Sequence, residues 1–159
     1  MRVRDIMTTE IVAVRPEASV NDIARLMCEH NVSGVPVVDE AGKIVGVITE
    51  LDMIVRNTRL ELPAFIQILD GRIMLETPGH YEKRLRHMLG TRAEDIMTRE
   101  VVSIGPDAEV EDVATLMVKR RVNPVPIIEN DTLVGIVSRS DIIRMMSQAL
   151  APQEEDQSE

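Results

Sequence analysis

Apolar residues recur along this chain in two rhythms. Val20, Ile23, Ala24, Met27 and Cys28 are spaced i, i+3, i+4, i+7, i+8, which predicts a helix with one buried face. Val110, Val113, Ala114, Met117 and Val118 repeat that spacing and predict a second such helix. Ser19 followed by Asp22 supplies a capping pair for the first. Around these helices lie short runs that are apolar throughout. Ile11–Val14 predicts a strand stopped by Pro16, and Val101–Ile104 a strand stopped by Pro106. Val35–Asp39 and Ile44–Thr49 predict two strands around Glu40-Ala41-Gly42. Val125–Glu129 and Leu133–Ser138 predict two more around Asn130-Asp131-Thr132. Their continuous apolar character predicts sheets covered on both faces. A further helix starts near Glu50 and another near Arg139, so the order strand–helix–strand–strand–helix occurs twice.

The two sets are copies of one unit. Residues 5–54 align with 95–143 at an offset of 90 up to the turn near Gly42 and 89 after it. Of 49 aligned pairs 20 are identical, roughly 41%, far above chance for a unit of this size. Both copies open with Asp-Ile-Met-Thr, at Asp5–Thr8 and Asp95–Thr98. The predicted fold class is α/β (α+β), with two β-α-β-β-α units packed about a pseudo-twofold axis. The domain reading is 1–57 and 92–149 for the repeats, 58–91 for an insert and 150–159 for an acidic tail. In the insert, Pro63 to Leu69 reads as a short helix broken by Gly71, and His80 to Leu89 as a helix ended by Gly90. The tail from Gln153 has four acids and no base, and reads as solvated and disordered.

Composition narrows the function classes. Lys and Arg total 18 against 27 Asp and Glu, a net charge of −9. A nucleic-acid binder needs a cationic footprint, and single-strand platforms need aromatic rings. Phe65 and Tyr81 are the only aromatics here. A polybasic membrane contact fails on charge, and no apolar run approaches the ~20 residues of a membrane span. One cysteine, Cys28, and an N-terminus without an apolar signal-peptide core lead to the expectation of a cytoplasmic protein. Cys28, on the apolar stripe, reads as core packing. His30, His80 and His87 lack metal-site spacing, and no phosphate-loop or nucleophile-elbow motif occurs. Nothing points to an enzyme or a required cofactor.

The doubled Asp-Ile-Met-Thr, Pro, helix, Val-Pro-(Val/Ile) and Gly-x-x-(Thr/Ser)-x-x-Asp resembles paired CBS (cystathionine-β-synthase) domains, a Bateman module. The resemblance covers about 100 residues, all but insert and tail. It implies regulatory binding of AMP, ADP, ATP or S-adenosylmethionine in two clefts, each drawing on both repeats. One implied cleft holds Ser138, Arg139 and Asp141 with Met7, Thr8, Val12, Ser33, Gly34 and Pro36. The other holds Thr49, Glu50 and Asp52 with Met97, Thr98, Val102, Asn123, Pro124 and Pro126.

The residues suit that chemistry. A carboxylate at Asp52 or Asp141, just inside a helix, can accept two hydrogen bonds from a ribose diol. Thr49 and Ser138 stand where free helix N–H groups meet a phosphate. The same residues also read as N-caps and dipole partners, and taken alone that reading is the stronger. The duplicated motif favours both roles together. Arg139 can pair with phosphate while Glu50 repels it, so the Asp141 cleft is expected to bind and the Asp52 cleft to bind weakly. With both side chains in solvent the two clefts would not differ in this way. Energy-sensing kinase subunits of this family carry basic residues before the Val-Pro step. Ser33-Gly34 and Asn123-Pro124 stand there instead, which favours AMP or S-adenosylmethionine over ATP. Lys119-Arg120-Arg121 reads as a solvated helix end. The expected assembly is a homodimer acting on a protein partner that the sequence does not name. The alternative is a dimerisation module with vestigial clefts.

Overall fold

A computed structural model describes residues 1–57, 65–68, 71–74 and 78–150. The chain divides into two compact units. One runs over Val12–Val101, and the other joins Met1–Ile11 to the chain from Val102 onward.

The Val12–Val101 unit contains α1 (Val20–His30), β1 (Gly34–Val38), β2 (Ile44–Thr49), α2 (Glu50–Val55), β3 (Phe65–Ile68), β4 (Gly71–Met74), α3 (Pro78–Leu89) and α4 (Ala93–Ile96). β1 and β2 form an antiparallel hairpin in the register Gly34↔Thr49 to Val37↔Gly46. A bulge follows, where Val38 pairs with Ile44. Its core joins Val20, Ile23 and Met27 of α1 to Val35, Val37 and Ile48 of the hairpin. Ala93, Ile96 and Met97, from the start of the second repeat, complete that core.

The other unit contains a single 3-10 turn (Val3–Asp5), α5 (Val110–Arg120), β5 (Val125–Glu129), β6 (Thr132–Val137) and α6 (Arg139–Leu150). Its hairpin has the matching register, Val125↔Val137 to Ile127↔Gly135, with a bulge at the same place. Its core joins Val113 and Met117 to Val125, Ile127 and Val137, closed by Val3 from the first repeat. Each Asp-Ile-Met-Thr segment thus packs on the hairpin of the other repeat. Two mixed α/β units built on short hairpins agree with the expected class.

Four details depart from expectation. The runs Ile11–Val14 and Val101–Ile104 form no strand; each makes one parallel bridge, Val14↔Val37 and Ile104↔Ile127. Proline limits both. Val14 N–H donates to the Pro36 carbonyl and Val38 N–H to the Val14 carbonyl. The next rungs would need N–H groups from Pro36 on one side and Pro16 on the other, and neither has one. Pro126 and Pro106 cut the second bridge in the same way. Cys28 is exposed, not core, and so is Val118 at 78%. At i+8 these positions lie roughly 80° round the helix from Val20 and Val110, at the rim of the buried stripe. Finally, Phe65–Ile68 is a strand paired with Gly71–Met74, not a helix. Phe-Ile-Gln-Ile and Arg-Ile-Met favour a strand, and two residues suffice to join a hairpin. Pro63, the expected start of that helix, and the tail beyond Leu150 lie outside the described residues. The helix expected over His80 to Leu89 is α3.

Candidate functional site

The motif Gly-x-x-(Thr/Ser)-x-x-Asp becomes, in each unit, a buried strand running straight into a helix. In the Val12–Val101 unit Thr49 caps α2, accepting a hydrogen bond from the Asp52 N–H at 3.4 Å. Asp52 Oδ2 in return accepts the Thr49 N–H at 2.7 Å and the Thr49 hydroxyl at 3.0 Å. In the other unit Asp141 Oδ2 accepts the Ser138 N–H and the Ser138 hydroxyl, both at 2.7 Å. Asp141 Oδ1 accepts Arg144 Nη1 at 3.0 Å. At Thr49–Asp52 this closes a reciprocal loop over the first turn, the cap arrangement the residue types suggested, whereas the Asp141 N–H donates to the Ser138 carbonyl at 3.1 Å.

The two carboxylates differ in exposure. Asp141 is 6% exposed and is the one buried charged residue among those described, whereas Asp52 is half-buried. A buried carboxylate is costly unless donors surround it. Asp141 has three, from Ser138 N–H, Ser138 Oγ and Arg144.

Around Asp141 its unit gathers several of the predicted residues. Thr8 is bridged to Ile136 of β6 through two main-chain bonds of 2.9 and 3.0 Å. Met7 lies over Gly135, its Sδ 2.5 Å from where a Cβ would stand. Asn123 Oδ1 accepts the Arg139 N–H at 3.0 Å. Pro124 and Pro126 are buried and Val102 is half-buried in the same unit. Around Asp52, Thr98 is bridged to Val47 and Met97 lies over Gly46. The Ser33 carbonyl accepts the Glu50 N–H at 3.0 Å. Gly34 and Pro36 are buried and Val12 is half-buried there. Within a unit, then, Asn123, Pro124 and Pro126 accompany Ser138 and Asp141, while Ser33, Gly34 and Pro36 accompany Thr49 and Asp52. The hairpin registers give the reason: residues entering β1 or β5 sit opposite residues leaving β2 or β6.

Arg139 and Glu50 are exposed at their helix starts, and Lys119, Arg120 and Arg121 are exposed at the end of α5. His30 and His80 are exposed, and among the described residues no group of His, Cys, Asp or Glu could hold a metal. His87 carries no described side chain. No helix among the described residues is long and apolar enough to cross a membrane. Sequence reasoning missed two contacts, Asn123 to Arg139 and Arg144 to Asp141. The i, i+3 spacing of Asp141 and Arg144 on a helix was the available signal for the second.

The model of the CBS domain matches residues 3–56 and 93–148, one match for each repeat. The chain belongs to the CBS-domain family. The CBS domain-containing protein YhcV of Bacillus subtilis is 31% identical over 140 residues, covering 88% of this chain and 81% of that protein. CBS pairs therefore occur in proteins little longer than the two repeats. The structure of CBSX2, solved with AMP, superposes with a TM-score of 0.77 at 24% identity, covering 94% of this chain and 99% of that one. The CBS domain pair of protein MJ0100, solved with 5′-methylthioadenosine and S-adenosylmethionine, gives 0.69 at 26% identity, covering 94% and 98%. The hairpins and helices of this CBS pair are thus those of known CBS-pair structures.

Proposed function

We propose that this CBS pair is a non-catalytic regulatory module that binds an adenosine-containing ligand, AMP first among them, and signals through a change of conformation. The observation that carries this reading is the Asp141 carboxylate, nine-tenths buried yet fixed by Ser138 at the mouth of α6. A carboxylate so held presents its remaining lone pairs in one direction, which suits the two hydroxyls of a ribose. Met7, Thr8, Asn123, Pro124 and Pro126 share a unit with Asp141, which supports them as the lining of an adenine. The ligands of the MJ0100 pair share adenosine as their common part, which supports the class. Arg139 and Glu50 are exposed two residues before Asp141 and Asp52, and the asymmetry is proposed on their charge alone: a cation near the first site favours a phosphate-bearing ligand, an anion near the second disfavours one. Signalling requires only that the ligand prefer one of two states of the module, which a partner protein then reads. The protein acts in the cytoplasm.

Calorimetric titration of AMP, ADP, ATP and S-adenosylmethionine tests the reading, with Asp141→Asn and Asp52→Asn alongside. Asparagine keeps an acceptor for the Ser138 N–H, so helix capping survives while the carboxylate is lost. Saturable AMP binding abolished by Asp141→Asn and kept by Asp52→Asn is the expected result. Loss only in Asp52→Asn would retain the sensor and overturn the asymmetry. No heat with any of the four would move the assignment to an interaction module. One observation favours that second reading: Leu51 and Ile54 of α2 and Ile143 and Met146 of α6 are 68, 59, 63 and 51% exposed. A homodimer would cover such residues.

A further inference from the structure

We infer that Arg144 is an internal competitor for the Asp141 carboxylate and sets the affinity of that site for ribose. The inference rests on the proposed role of Asp141 in ribose binding. Ser138 takes both of its bonds on Oδ2, leaving Oδ1 as the acceptor for an incoming hydroxyl. Oδ1 is where Arg144 Nη1 sits, at 3.0 Å. A ribose and this guanidinium therefore contend for one oxygen.

Exposure decides which partner yields. The Asp141 side chain is 7% exposed and is held by two further bonds, whereas that of Arg144 is 62% exposed. Arg144 lies one turn along α6, on a long side chain with many rotamers, and solvent readily receives its charge. The carboxylate stays and the guanidinium leaves. An ion pair with one partner so exposed is weak, so the competition trims the affinity without abolishing it. The site is then occupied by its own chain until a ligand displaces it, and apparent affinity falls by the fraction of carboxylate left open. An arginine at this spacing belongs to this repeat, since the residue three positions after Asp52 is Val55.

Adenosine is the probe, since it has the ribose and no phosphate for Arg144 to attract. The measurement is calorimetric, on the full chain in an Asp52→Asn background, with and without Arg144→Ala. The variant is expected to bind adenosine about two- to fivefold more tightly. Raising salt from about 0.05 M to about 0.5 M weakens an exposed ion pair. Adenosine should therefore bind more tightly to the Arg144 protein as salt rises, with no such trend in Arg144→Ala. A merely structural Arg144 would not give that salt signature. Unchanged or weaker adenosine binding in Arg144→Ala, with a flat salt response, overturns the competition and leaves the ribose reading standing. No adenosine binding by either protein overturns both. Should Arg144→Ala fail to fold, Arg144→Gln and the salt series on the parent decide in the same way.

Discussion

Gly46 and Gly135 show how much a single absent side chain can fix. Each lies at a bulge on the second strand of its hairpin, and each is overlain by a methionine from the other repeat's Asp-Ile-Met-Thr segment. A Cβ on Gly46 would stand 2.5 Å from Met97 Sδ, 2.8 Å from its Cγ and 3.0 Å from its Cβ. On Gly135 the corresponding distances to Met7 are 2.5, 3.0 and 3.2 Å. A flexible thioether can swing aside, but a Cβ fixed to the backbone cannot. Gly46→Ala is therefore expected to cost about 1–3 kcal/mol by overpacking, and Gly135→Ala less. Urea midpoints of the two variants check the order. Equal and negligible shifts would mean that both methionines repack freely.

At the scale of the element, α1 and α5 offer a comparison inside one molecule. Ser19 caps α1 with a bond from the Asp22 N–H at 3.1 Å, whereas Glu109 at the same place on α5 makes no side-chain cap bond. Ser19→Ala should destabilise by about 1 kcal/mol. Both helices end on a left-handed residue, Asn31 at φ 50° and Arg121 at φ 53°. Asparagine adopts that conformation more readily than arginine, so Arg121→Gly should stabilise by about 0.5–1 kcal/mol. Thermal melts read both changes, and a loss of stability in Arg121→Gly would show that its side chain contributes more than its backbone costs. The buried stripes were legible because Val20, Ile23 and Met27 fall within one narrow sector of the helix. Cys28 and Val118 were not, because a stripe read from spacing has no sharp edge. The bridges at Val14 and Ile104 could have been read from four prolines, had the missing N–H groups been followed rung by rung. Phe65–Ile68 forms a strand because a proline at a helix start carries less weight than the β-branched and aromatic residues after it.

For the whole molecule, the deciding fact is which segment closes which core. The repeat, both hairpins and the Thr49–Asp52 and Ser138–Asp141 junctions could be read from the residues. The exchange of Asp-Ile-Met-Thr segments could not, since Asp5–Thr8 and Asp95–Thr98 are identical and either would suit either glycine. The exchange has a consequence that runs against chain order: cutting the start of the first repeat should open the core of the second. Met1–Thr8 supplies Val3, fully buried with Val113 and Val125, along with Ile6 and Met7 packed at its side. It also holds the Ile136 N–H through the Thr8 carbonyl and the Val110 N–H through the Met1 carbonyl. Burial of three such side chains is worth several kcal/mol. Deleting residues 1–8 is therefore expected to speed hydrogen exchange at Ile136 and Val110 by about 10²-fold or more. The Val47 N–H is held by Thr98 within the other unit and should keep most of its protection. Exchange that quickened at Val47 and Ile136 alike would mean that the two units open as one. Exchange that quickened at Val47 alone would return the Asp5–Thr8 segment to its own repeat.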